Sequence, residues 1–107
     1  MAIHIPIQCI ERDDDLIILK YGDAHITGVV WVGIVGVVPS TKEIELLEPS
    51  IAFEIDEYGL VWISKTLRNT IDDRTAMALN KFSRVRRAIM SYLEQESEIP
   101  DNFAYNA

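Results

Sequence analysis

The sequence holds one cysteine, Cys9, among 107 residues. A lone thiol cannot build an internal disulfide framework, and it agrees with a reducing compartment. Histidine is as scarce, with only His4 and His25 present. Together with Cys9 they match no zinc-site spacing, and in a regular strand His4 and Cys9 would point to opposite faces. Five glycines and four prolines are too few for a collagen-like or linker-like chain. The longest uncharged, largely apolar stretch, Ile26 to Val38, has thirteen residues. A membrane helix needs about 20. The N-terminus is not expected to act as a secretory signal, because His4, Pro6 and Gln8 interrupt its apolar residues and acid follows. These absences lead to the expectation of a soluble, cytoplasmic protein with no metal, no cofactor and no membrane contact.

Catalytic motifs are missing too. No serine sits in a G-x-S-x-G elbow. Gly28, Gly33 and Gly36 are spaced like a glycine-rich loop, but no Lys-Ser/Thr pair follows and no helix is expected to start there, as a phosphate cradle requires. Asp13-Asp14-Asp15 lacks the spaced acids and central glycine of a calcium loop. The chain is therefore expected not to be an enzyme.

What is present is ordinary globular material, 49% hydrophobic and 25% charged, in one domain's length. Ile3, Ile5, Ile7 and Cys9 alternate with His4, Pro6 and Gln8, the period of a half-buried strand. Pro6 cannot donate a ladder hydrogen bond, which suggests an edge. Leu16 to Tyr21 reads as a second strand ending in a Gly22-Asp23 turn. Ile26 to Val38 is apolar on both faces, and one long, bent strand covered on both sides is preferred over two. Glu43 to Glu48, Ile51 to Asp56 and Leu60 to Ser64 read as further strands.

After residue 64 the period changes. Leu79, Phe82, Val85, Ala88, Ile89, Tyr92 and Leu93 recur at three and four, giving a helix over 72–96 with Asp72 and Asp73 near its positive end. The expected fold is α+β: an antiparallel sheet of five or six strands followed by one long C-terminal helix packed on one face. Residues 1–98 would form the domain and 99–107 a loose tail. The expected core is Ile3, Ile5, Ile7, Val30, Val32, Phe53, Ile55, Trp62, Leu79, Phe82, Val85, Ile89 and Leu93.

Charge is the most unusual feature. The net value is −7, yet residues 1–64 hold eleven acids against three bases, and residues 65–93 hold seven bases against two acids. The bland reading pairs helix bases with sheet or tail acids. The sharper one makes the acidic half a recognition surface for a basic partner. Its candidate residues are Asp13, Asp14, Asp15, Glu54, Asp56 and Glu57, extended by Glu43, Glu45 and Glu48. Tyr58 or Tyr21 would serve as an aromatic anchor.

Small size, acidity and the missing motifs fit an inhibitor. It would resemble bacterial immunity proteins in size and charge, neutralising a basic toxin, such as a nuclease, by covering its active surface. The alternatives are a structural or assembly module of a phage or secretion system, and a nucleic-acid-binding protein that uses the basic helix segment 81–87. Acidity elsewhere on the surface argues against the last.

Overall fold

A computed structural model describes residues 4–50, 54–58, 61–62, 64 and 69–106. Four strands, β1 (His4–Asp13), β2 (Leu16–His25), β3 (Gly28–Val38) and β4 (Glu43–Glu48), run as an antiparallel meander. β5 (Glu54–Ile55) and β6 (Val61–Trp62) pair only with each other. The helix α1 (Asp73–Glu94) follows, and then β7 (Asn102–Asn106) returns to pair with β1. The sheet order is β4-β3-β2-β1-β7, with α1 packed on one face. The fold is thus α+β, an antiparallel sheet with one long helix.

Alternation decides which face meets the helix. Ile5 and Ile7 of β1, Ile17, Leu19 and Tyr21 of β2, Val35 and Val37 of β3 and Leu46 of β4 form the inner face. They pack against Ala78, Leu79, Phe82, Val85, Ile89 and Leu93, which recur along one side of α1. Cys9 lies on the same side and is half-buried. Tyr21 ties the layers together: its hydroxyl donates to the Ala78 carbonyl at 2.7 Å. Burial of the ring pushes its pKa upward. Tyr21 also explains Gly33, its cross-strand partner, because a Cβ there would lie 2.4 Å from the Tyr21 ring.

The helix ends follow capping chemistry. Asp72 is the N-cap and accepts the Thr75 backbone N–H at 2.7 Å. Hydrogen bonding from Thr75, by its side chain and then its backbone, with a contribution from the Arg74 charge, holds the Asp72 carboxyl below its ordinary value. At the other end, Glu96 takes a left-handed φ of 55° and the Ser97 N–H donates to the Tyr92 carbonyl at 2.9 Å. The helix therefore closes before Pro100 could stop it. Among the described residues, no helix is long and apolar enough to cross a membrane.

Several expectations need correction. β1 is not an edge strand, because β7 lies outside it; pairing with β2 begins at Ile7, so Pro6 sits where that ladder ends. Residues 102–106 of the expected loose tail form this fifth strand. Gly22-Asp23 is not a turn, since β2 runs through it to His25. A Cβ on Gly22 would lie 2.3 Å from the Val30 carbonyl oxygen, which is why the close approach there uses glycine. β3 is one strand, as preferred, with Val32 as an extra residue between the Tyr21–Gly33 and Gly22–Trp31 pairs.

Three expected core residues are exposed. Val30 (49%) lies on the part of the β2–β3 ribbon that extends beyond its neighbours' pairing. Ile55 (39%) and Trp62 (52%) belong to the separate β5–β6 pair rather than to the main sheet. Ile3 and Phe53 lie outside the described residues, and the other eight are buried as expected.

Candidate functional site

The outer sheet face is built by the same alternation that builds the core. With Ile17, Leu19, Val35 and Val37 pointing inward, Leu16, Ile18, Ile34 and Val38 point outward. Among the described residues, no helix covers this face. Leu16 is 43% exposed, and Ile18, Ile34 and Val38 are half-buried by one another and their neighbours. Leu47 is an extra residue in β4, and a Cβ on Gly36 would lie 3.2 Å from its Cδ1, so its side chain leans over β3 on this same face.

Cross-strand register sets acids on both sides of this apolar strip. One rung across β1, β2, β3 and β4 reads Glu11, Ile18, Gly36, Glu45. The next reads Gln8, Lys20, Ile34, Glu48. At the other end Asp13 pairs with Leu16, and Glu43 with Val38. Two acidic rails, Glu11 and Asp13 on β1 and Glu43, Glu45 and Glu48 on β4, thus flank a shallow apolar trough. The rails stand three strand spacings apart, about 14 Å. Lys20 is the one base on these rungs, and its Nζ lies 4.3 Å from the Trp31 ring centroid.

The trough has an acidic end. Asp13 ends β1 and Asp14 and Asp15 form the β1–β2 turn, where the Asp13 carboxylate accepts the Asp14 N–H at 2.8 Å. Asp15 accepts both the backbone N–H of Ser40, at 3.1 Å, and its hydroxyl. Ser40 belongs to the β3–β4 turn, so this contact locks the two turns together at the end of the trough where Glu43 begins β4.

Glu54, Asp56, Glu57 and Tyr58 are elsewhere. Asp56 accepts the Tyr58 N–H at 2.9 Å and the Trp62 indole N–H at 2.8 Å, a local brace of the β5–β6 hairpin. Glu57 and Tyr58 line a cleft of about 410 Å³ with Ser83, Arg86, Arg87 and Met90 of α1. Of these acids, Glu57 therefore lies beside the protein's own basic helix. Tyr21 is fully buried and cannot anchor a partner.

Pairing between the charged halves is sparse. Lys81 meets Asp23 at 3.4 Å. Beyond α1, Asp101 at 3.1 Å and Glu98 at 4.0 Å contact Arg12 of β1 rather than a helix base. Arg84, Arg86 and Arg87 make no ion pair among the described residues. The described residues also contain no group of His, Cys, Asp and Glu able to hold a metal ion.

Reading the sequence by charge alone missed Glu11 and the whole apolar strip. The signal was there, in the run from Ile26 to Val38 that is apolar on both faces. It indicated two covered faces, whereas the described residues cover one. Comparison with protein-family models, with curated proteins and with solved structures finds no match.

Proposed function

We propose that the protein is a binding module for a basic protein partner, with the railed sheet face as its docking surface. The observation that carries this reading is that β3 is apolar on both faces while the described residues cover only one of them. Strands of this composition are ordinarily covered on both sides. Here the second apolar surface is rimmed by acids, the arrangement of a protein interface with an apolar centre and a polar margin. The rails supply long-range attraction and faster encounter, and Leu16, Ile18, Ile34 and Leu47 supply the desolvated contact. An inhibitor that covers the basic active surface of a toxin, such as a nuclease, is the specific form of this reading.

The test begins with capture from the native host, using wild type and the triple reversal Glu11→Lys, Glu45→Lys, Glu48→Lys. The expected partner is basic, its capture fails with the triple variant, and it persists when Glu54 and Glu57 are reversed instead. Stopped-flow association with the identified partner should slow as salt rises. An on-rate indifferent to the three reversals overturns the reading.

A second reading, an assembly module, has one observation in its favour. The β2–β3 ribbon extends past its neighbours and exposes Ile26, Val29 and Val30 at and near its tip.

A further inference from the structure

The trough has dimensions, polarity and chemistry that together define what fits it. Its rails lie about 14 Å apart across three strand spacings. An α-helix with its side chains is roughly 10–12 Å across. The apolar floor, from Leu16 to Lys20 along β2, is about 14 Å long, the length of roughly nine helical residues. An extended strand would be too narrow to meet both rails at once. A helix meets both when its apolar stripe faces down and Lys or Arg residues flank the stripe on each side.

The ends of the trough differ in charge. Asp13–Asp15 and Glu43 gather at the Leu16 end, whereas at the other end Lys20 shares its rung with Glu48 and offsets it. A helix carries partial positive charge at its N-terminus and negative charge at its C-terminus. Its favoured direction is then parallel to β2, with its N-terminus beside the aspartates and its C-terminus beside Lys20. Such a helix would complete a three-layer arrangement, covering the outer face as α1 covers the inner one.

We infer that the outer sheet face seats a basic amphipathic α-helix of the partner protein, lying along β2 and β3 between the Glu11–Asp13 and Glu43–Glu48 rails. This rests on the reading of that face as a protein-docking surface, and it adds the partner's secondary structure and direction.

The probe is a synthetic, fluorescently labelled peptide of about fourteen residues, long enough for some helicity. It carries a leucine stripe flanked by lysines on both sides. A scrambled peptide of identical composition, with no helical stripe, is the control. Anisotropy titrations at low salt should give the patterned peptide at least about tenfold tighter binding than the scramble, roughly 1.4 kcal/mol. Far-UV circular dichroism should show it gaining helicity on binding. The double reversal Glu11→Lys, Glu45→Lys replaces one acid by a base on each rail and leaves the core untouched; it should weaken binding about tenfold or more. Ile18→Gln, in the middle of the floor, should also weaken it while leaving the melting temperature near wild type. Equal binding of both peptides, lost in the rail variant, overturns the helix and leaves the basic-partner reading standing. Binding of neither peptide overturns the helix, and the capture experiment then decides the broader reading by itself. Patterned binding that ignores both rail reversal and Ile18→Gln overturns the location.

Discussion

At the scale of single residues, Tyr21 concentrates the most structural consequence. Its ring fills the space over Gly33 and its hydroxyl reaches the helix backbone, so sheet and helix are aligned through one side chain. Tyr21→Phe keeps the ring and removes the bond to the Ala78 carbonyl. It should cost about 1 kcal/mol in urea denaturation. The pH dependence has a definite sign. Burial raises the phenol's pKa in the folded chain above its unfolded value, which is about 10. The folded state therefore keeps its proton while the unfolded state loses one, and stability falls as pH rises beyond about 10. Below that value the contribution is fully present. Thermal melts from neutral to alkaline pH should decline less steeply for Tyr21→Phe than for wild type.

At the scale of elements, α1 contributes the inner layer through one stripe, and Phe82 is its largest buried side chain. Phe82→Ala should destabilise by about 3–5 kcal/mol in chemical denaturation. An unchanged midpoint would mean that the stripe does not face the sheet. The helix was legible in the sequence because a period near 3.6 over two dozen residues, with acids at its start, has one physical reading. The meander was legible for the analogous reason, its period of two. β7 was not. Asn102 to Asn106 is too short and too polar at its ends to announce a strand, and what stabilises it is distant in sequence: pairing with β1 and packing of Phe103 on Tyr92 of α1. Trp62 and Ile55 were misplaced because alternation says that a strand has two faces, not whether a second layer covers either. The acid-railed outer face escaped for a related reason. It depends on register, with Glu11 reaching the Ile18 rung only because Ile10 is an extra residue in β1, and a bulge of that kind leaves no composition signal. Asp13–Asp15 were conspicuous because they stand together in the chain, and Glu54–Glu57 were grouped with them by charge although Glu57 lines a cleft with Arg86 and Arg87 of α1.

At the scale of the whole molecule, charge is layered. Acids line the outer sheet face, and Arg84, Arg86 and Arg87 lie on the helix layer opposite. The net charge of −7 nevertheless makes copies of the chain repel one another at long range. The apolar tip of the β2–β3 ribbon works against this, yet Ile26, Val29 and Val30 amount to far less than the about 800 Å² per partner that a stable interface covers. Sedimentation velocity should therefore find a 12.2 kDa monomer. Concentration-dependent dimers that Ile26→Lys abolishes would favour the assembly module instead. The pairing of β7 with β1 has a consequence for how this architecture is reached in time. His4 meets Asn106 across 102 positions of sequence, whereas β1 through β4 join by turns of a few residues. Loop-closure entropy makes the local hairpins early events and the β1–β7 closure a late one. During synthesis, the outer edge of β1 stays open for as long as β7 remains inside the ribosome. Its backbone donors and acceptors are then exposed to other chains. Co-expression with a peptide copying residues 102–106 would compete for that edge only in this interval, and the finished protein would be indifferent to it.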